Sequence, residues 1–218
     1  MITSIVFDFD GTLVDSNAIK RQGFYEVVAE DSGGRARMEQ ILDQVSGDRR
    51  AIFSAYLADT AAPGLERTRK AEALVRIYSQ RVDAQVVAAP EIPGATALME
   101  QLRRHQRRLY LNSATPIDSL RMIIERRGWR RLFEGIFGHP AGKIESARRV
   151  LAGTASGAES IAVVGDGADD RDSAAAIGCT FFPVGEARGT RPADRVFTLH
   201  ELLEVLMEPV GPGNVTMV

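Results

Sequence analysis

The sequence Ile5-Val6-Phe7-Asp8-Phe9-Asp10-Gly11-Thr12-Leu13 is the most informative part of this chain, because an apolar run ends there in two acidic residues. In an extended chain, Asp8 and Asp10 emerge on one side while Phe7 and Phe9 pack on the other. Two like charges so close repel each other, and a divalent cation or a shared proton is the usual reason to tolerate them. The stretch therefore predicts a metal site at the end of a buried strand. The alternative is that the two acids simply end a strand on a solvated loop.

The next residues suit an anion. Gly11 permits a sharp turn that leaves backbone N–H groups uncovered near Gly11 and Thr12. Uncovered backbone N–H groups bind anions such as phosphate. Mg2+, by contrast, prefers carboxylate and carbonyl oxygens. We therefore expect this one loop to serve both a cation and a phosphoryl group.

The composition is that of an ordinary soluble globular protein. The chain has 218 residues, of which 44% are apolar and 26% charged, with a formal net charge of -2. This charge provides no general attraction for nucleic acid, and 6% aromatic residues argue against a base-stacking platform. We expect a small-molecule substrate and no nucleic-acid partner.

The compartment is inferred from cysteine usage and from the lack of a leader pattern. Cys179 is the single cysteine, so neither an intramolecular disulfide nor a cysteine zinc cluster is expected. The chain opens directly on a strand, and no apolar run approaches the roughly 18 residues that span a bilayer. We therefore expect a cytoplasmic protein without a membrane partner. The oligomeric state is left open between monomer and homodimer.

The pattern of apolar residues divides the chain into two domains. Residues 17–88 show only helical periodicity, with Asp48 as a plausible helix N-cap. Beyond Pro93-Gly94 the pattern alternates between helices and short apolar strands near 109–111, 135–137, 161–164 and 179–184. Thr115-Pro116 is typical of a helix N-cap and first turn. The alternation predicts an α/β domain whose parallel sheet is covered by helices on both faces and includes the opening strand.

The residues that follow the predicted strands form a constellation, because ligands bind beyond the carboxyl ends of parallel strands. We expect a metal held by Asp8 and Asp166 and a phosphoryl group held by Ser113 and Lys143. Purely structural alternatives exist: Ser113 could be a helix-turn residue, and Lys143 could be a solvated lysine that opens a helix. Two acids beside Asp170 are interpreted as caps or surface charges: Asp169 and Asp172.

Taken together, these motifs resemble those of the haloacid dehalogenase superfamily of phosphohydrolases. Residues 8–16 resemble its first motif, Ser113 its second, Lys143 its third, and Gly165-Asp166 with Asp170 its fourth. The resemblance implies a three-layer Rossmann-like core of residues 1–15 and 89–218, with an inserted C1-type helical cap of residues 16–88. It also implies a phosphate site made of these residues: Gly11, Thr12, Ser113, Ala114 and Lys143.

The resemblance further implies a two-step reaction, that of a phosphoric monoester hydrolase. Asp8 attacks phosphorus to form an aspartyl phosphate, while Asp10 acts first as an acid and then as a base. Mg2+ is implied as the cofactor, held by Asp8, the Asp10 carbonyl and Asp166. Asp170 is either a ligand through water or an anchor behind the ligands. The expected substrate is a small phosphorylated metabolite of the sugar phosphate or phosphoglycolate type.

Other reactions remain open. A metal-free dehalogenase does not need the second aspartate, so Asp10 argues against it. A sugar phosphomutase resembling beta-phosphoglucomutase carries a cap histidine where this chain has Lys20, which lowers that interpretation without removing it. A catalytically silent protein that binds a phosphorylated ligand is a further alternative.

Substrate specificity is expected to reside in the helical cap. The loop at 45–50 is the candidate segment, with Arg49 or Arg50 contacting a polar or anionic leaving group. The alternative is that both arginines face solvent at a helix start. Lys20, on the first cap helix, is a comparable candidate.

Overall fold

A computed structural model describes residues 1–45, 47–58, 64–185 and 195–207. The chain forms two compact units, one comprising Met1–Asp15 and Ala89–Val218 and the other Ser16–Ala88. The strands are β1 (Ser4–Phe7), β2 (Arg108–Pro116), β3 (Gly135–His139), β4 (Ile161–Gly165) and β5 (Thr180–Pro183). The helices are α1 (Asn17–Val27), α2 (Gly34–Gln44), α3 (Arg49–Tyr56), α4 (Leu65–Ala88), α5 (Ala95–Arg104), α6 (Ile117–Arg126), α7 (Lys143–Ala152), α8 (Ala168–Ile177) and α9 (Leu199–Met207).

The first unit is built on a five-stranded parallel sheet in the order β3-β2-β1-β4-β5. Every residue of β1 and of β4 is buried, as is typical of a parallel strand that is covered on both faces. The prediction of an α/β fold with a Rossmann-like parallel sheet is confirmed. Because all five strands run in one direction, their carboxyl ends meet at one edge of the sheet.

Helices cover both faces of this sheet. On one face α7 and α8 pack against alternate residues of the central strands, and the resulting core includes Val6, Val163, Val150 and Ala174. On the other, α5 packs against β2 and against α9. Alternate residues of β1 thus serve two separate cores, which explains why the strand sequence is apolar throughout rather than alternating.

The second strand corrects a prediction. Thr115-Pro116 was predicted to cap and start a helix, but β2 runs through both residues and α6 begins at Ile117, without a side-chain cap hydrogen bond at Pro116. The ring of a proline disfavours the helical conformation for the residue before it, here Thr115, and the extended conformation that remains fits a strand. Ser113 therefore lies inside β2 instead of following it.

The segments that enter and leave the helical unit are hydrogen-bonded to each other. The backbone N–H of Asp15 donates to the Pro90 carbonyl at 3.0 Å, and the N–H of Ile92 donates to the Leu13 carbonyl at 2.9 Å. Val14 and Glu91 form an antiparallel bridge between these two contacts. We call this paired segment, residues 13–15 and 90–92, the stem.

Helices α1–α4 form the second unit around an aromatic cluster. The ring centroid of Phe24 lies 5.3 Å from that of Phe53 and 4.4 Å from that of Tyr78. Asp48 caps α3 by accepting a hydrogen bond from the N–H of Ala51 at 2.8 Å, which confirms that prediction. Ser46, in the loop before this cap, lies outside the described residues.

Arg49 is buried inside the helical unit. Its guanidinium lies 4.8 Å from the ring centroid of Tyr78, donates to the Ser79 hydroxyl and approaches the Asp83 carboxylate to 3.5 Å. The side chains of Arg49 and Asp83 are only 6% and 12% exposed. The alternative that Arg49 faces solvent at a helix start is therefore wrong, because residues of α4 cover its side chain. By contrast, the Arg50 side chain is 59% exposed and pairs with Glu72.

Within the described residues, none of the helices is both long and apolar enough to cross a membrane.

We expect Arg49→Met to lower the free energy of unfolding by about 3 kcal/mol, because it removes a buried cation that lies 3.5 Å from the buried Asp83 carboxylate. Arg50→Met is the matched control and is expected to change stability by less than about 0.5 kcal/mol, since its ion pair is exposed. Urea denaturation of the three proteins measures the difference. Equal losses in the two variants would contradict the structural role of Arg49.

Candidate active site

The two aspartates of the opening stretch lie at the carboxyl edge of the sheet. The backbone N–H of Asp8 continues the pairing of β1 with β4 by donating to the Val164 carbonyl at 2.9 Å. The Asp8 side chain is buried, and that of Asp10 is half-buried. Gly11 then turns the chain with a φ of 77°, a conformation that other residues rarely adopt.

Lys143 links three of the loops at this edge. It is the first residue of α7, and its Nζ lies 2.9 Å from Asp8, 2.8 Å from Asp170 and 3.0 Å from Asp169. Its side chain is only 10% exposed. The carboxamide of Asn112 donates to the Lys143 carbonyl at 2.9 Å and so ties β2 to the start of α7. The interpretation of Lys143 as a solvated surface lysine is wrong.

Three carboxylates at this edge are arranged so that they could hold a metal ion. One oxygen each of Asp8, Asp166 and Asp170 lies within 4.8 Å of the others. Carboxylate oxygens are the donors that hard divalent cations prefer, so the set fits Mg2+ by its chemistry. A cation there would offset negative charge that the Lys143 ammonium balances only in part.

The electrostatics reflect this concentration of charge. Burial, together with the nearby Asp10 and Asp166 carboxylates and against the opposing effect of Lys143, raises the pKa of Asp8 to about 7. Burial and then the Asp8 charge also raise the pKa of Asp170 above its usual range. Burial acts to lower the pKa of Lys143, but the surrounding carboxylates outweigh it and raise that pKa, so Lys143 is a permanent cation.

Two hydroxyls of β2 contact Asp10. The Thr115 Oγ1 donates to Asp10 Oδ2 at 3.1 Å, and the Ser113 Oγ donates to the same oxygen at 3.3 Å. Both hydroxyl residues are buried, while Ala114 between them is exposed. This alternation places the two hydroxyls on one side of the strand.

The first loop contributes a further hydroxyl. Thr12 is fully buried, and its Oγ1 approaches Asp8 Oδ2 at 3.5 Å. The structure thus brings Asp8, Asp10, Thr12, Ser113 and Lys143 to one edge of the sheet with Asp166 and Asp170. Phosphate-binding roles for this set, and for Gly11 and Ala114, stay predictions.

The predicted specificity residues all belong to the helical unit. Lys20 is half-buried on α1, and its carbonyl accepts a hydrogen bond from the Tyr78 hydroxyl at 3.1 Å. Arg49 is held by Asp83 and Ser79, so its placement favours a structural role over substrate contact. Arg50 is exposed, and its substrate role stays a prediction.

Sequence reasoning missed two residues of the site. Thr115 was interpreted as a helix cap, although a hydroxyl two positions beyond Ser113 on a strand would share its face. Asp169 was interpreted as a cap or surface charge, yet its carboxylate, 57% exposed, contacts the buried Lys143 ammonium. The signal available for Asp169 was its position beside Asp170 in the first turn of a helix that follows a strand.

Comparisons with known proteins identify the family of this chain. A model of the haloacid dehalogenase-like hydrolase family matches residues 5–184. The chain is 26% identical over 212 residues to a phosphoglycolate phosphatase of Cereibacter sphaeroides, covering 93% of this chain and 96% of that relative.

Solved structures share the fold at lower identity. YfnB from Bacillus subtilis, bound to magnesium, has a TM-score of 0.71 at 18% identity and covers 94% of this chain and 98% of its own. A mutant of CbbY from Rhodobacter sphaeroides, in complex with xylulose-(1,5)bisphosphate, has a TM-score of 0.70 at 20% identity and covers 93% and 96%. The family match extends from the first strand to the end of the last, through every loop that carries the acidic cluster, and this chain belongs to the haloacid dehalogenase-like hydrolases.

Proposed function

We propose that this protein is a Mg2+-dependent phosphatase that hydrolyses a small phosphorylated metabolite of the sugar phosphate or phosphoglycolate type through an aspartyl phosphate. The observation that carries the proposal is the contact of Asp8 with Lys143 inside the cluster that Asp166 and Asp170 complete. A buried carboxylate beside a permanent cation and a candidate metal site is equipped to meet a phosphoryl group without prohibitive repulsion.

In the first step an Asp8 carboxylate oxygen attacks phosphorus while the bond from phosphorus to the leaving oxygen breaks. Asp10 donates its proton to that oxygen, so the product leaves as a neutral alcohol. In the second step Asp10 takes a proton from water, whose oxygen attacks phosphorus. The bond from Asp8 to phosphorus then breaks, which restores Asp8 and releases inorganic phosphate.

The phosphoryl oxygens are held by groups of this chain. The Lys143 ammonium balances their charge, the Ser113 hydroxyl donates to one of them, and the backbone N–H groups of Thr12 and Ala114 donate to others. The Gly11 N–H already donates to the Val14 carbonyl at 2.8 Å, so the expectation of an uncovered N–H at Gly11 is wrong and this residue contributes the turn. These donors are fixed by strand ends and helix starts, so they are in place before substrate arrives.

Mg2+ would be held by Asp8, Asp166 and the carbonyl of Asp10, and it would supply positive charge that offsets the negative charge of the carboxylates and of the phosphoryl group. Asp170 is better suited to an anchoring role. Its Oδ1 accepts from Lys143 at 2.8 Å and its Oδ2 from the Gly167 N–H at 3.2 Å. With both oxygens already accepting hydrogen bonds, contact through water is favoured over direct ligation.

The helical unit, residues 16–88, acts in this proposal as a cap that selects the leaving group. The similarity to a relative named phosphoglycolate phosphatase, and to the fold of a protein solved with a sugar bisphosphate, supports small anionic metabolites as substrates. Lys20 stands where proteins resembling beta-phosphoglucomutase carry a cap histidine. This difference favours hydrolysis over transfer of the phosphoryl group back to a sugar.

Asp8→Asn is expected to lower phosphate release by at least about 1,000-fold, because an amide is a poor nucleophile for phosphorus. The measurement is release of p-nitrophenol from p-nitrophenyl phosphate, together with a panel of phosphorylated metabolites, with Mg2+ and with EDTA. Asp172→Asn is the matched control on α8, since its side chain is 65% exposed and pairs with Arg171. Full activity of Asp8→Asn, or activity that EDTA leaves unchanged, would refute the proposed chemistry.

Mg2+ binding is expected to tighten as pH rises from 6 to 8. The pKa of Asp8 in the metal-free protein is raised to about 7, so protons compete with the cation below that value. One displaced proton corresponds to an affinity change of about tenfold per pH unit on the acidic side of the pKa. Calorimetric titration in two buffers of different ionisation heat counts the protons released. Equal Mg2+ affinity at pH 6 and at pH 8, with no proton release, would contradict the raised pKa of Asp8.

A further inference from the structure

Asp10 Oδ2 is a shared acceptor. The hydroxyls of Ser113 and Thr115 donate to it at 3.3 Å and 3.1 Å, respectively. Both donors come from β2, the strand that pairs with β1, and Asp10 lies three residues beyond the end of β1. Of the two residues, only Ser113 belongs to a motif of the family.

Ser113 cannot serve Asp10 and a phosphoryl group at the same time. A hydroxyl has one proton to donate, and in this structure the Ser113 Oγ gives it to Asp10 while accepting from the Thr115 N–H at 3.1 Å. When Ser113 turns its proton to a phosphoryl oxygen, it releases Asp10. Thr115 has no such second duty in the proposed reaction, and its side chain is buried in the strand, with the residue only 3% exposed.

We infer that Thr115 is a positioning residue that keeps the Asp10 carboxyl group oriented after Ser113 has engaged the substrate. A hydroxyl that donates to Oδ2 makes that oxygen an acceptor, so the transferable proton resides on Oδ1, which is the oxygen that serves the leaving group. Thr115 thus acts through Asp10 without touching the reacting atoms. This inference rests on the proposed phosphatase function.

The ratio of kcat/KM for two substrates with different leaving groups tests this role, because a purely structural defect would lower both values alike. An alkyl leaving group needs protonation as its bond breaks, whereas p-nitrophenolate leaves readily as an anion. General acid catalysis contributes about 100- to 10,000-fold, and misorientation removes part of it. For Thr115→Val we expect kcat/KM to fall at least about tenfold for an alkyl phosphate and less than about threefold for p-nitrophenyl phosphate.

Two variants serve as controls. Thr115→Ser restores a hydroxyl and is expected to return the ratio of the two kcat/KM values to that of the wild type. Ser113→Ala removes the proposed phosphate contact and is expected to lower kcat/KM for both substrates alike. Thermal melts identify any variant that fails to fold, in which case Thr115→Ala replaces Thr115→Val.

Crystal structures of the wild type and of Thr115→Val provide a measurement that does not depend on activity. We expect the Asp10 carboxyl group to rotate away from β2 in the variant. An unchanged Asp10 orientation, or losses of kcat/KM that are equal for the two substrates, would overturn the inference. If the wild type hydrolyses neither substrate, the proposed function fails, and the orientation of Asp10 alone then decides whether Thr115 positions it.

Discussion

The ammonium of Lys143, held between the carboxylates of Asp8, Asp169 and Asp170, is the interaction on which the rest of the site depends. Without a cation at this point, the loops after β1 and β4 would bring like charges together in a buried place. The lysine is itself fixed by its position at the start of α7 and by the Asn112 carboxamide on β2. Residues on or just after β1, β2 and β4 thus contact this one lysine.

This arrangement explains why the site can be both acidic and stable. Burial alone favours neutral carboxyl groups, and it raises the pKa values of Asp8 and Asp170. The lysine opposes that tendency, and a divalent cation would oppose it further. The Asp8 carboxyl group is therefore poised between its protonated and charged forms, which suits its proposed role as a nucleophile.

The sequence was sufficient to predict the sheet and most of the cluster, because parallel strands bring their carboxyl ends together whatever the details of packing. Lys143 and Asp166 were located by that rule. Thr115 was not, since the length of β2 depends on pairing with β3, as in the register of Pro116 with His139, and not on local turn preference. The burial of Arg49 likewise depends on Tyr78, Ser79 and Asp83, which lie some 30 residues away on another helix.

The stem has a consequence for how such a protein changes over evolutionary time. Its backbone hydrogen bonds pair the segment that precedes the helical unit with the segment that follows it. Closing a flexible loop costs a free energy that grows only slowly with loop length. Exchange of residues 16–88 for a longer or shorter module would therefore leave the sheet and its acidic edge largely undisturbed. In the proposed function, substrate preference and reaction chemistry would then belong to separately exchangeable parts of one chain.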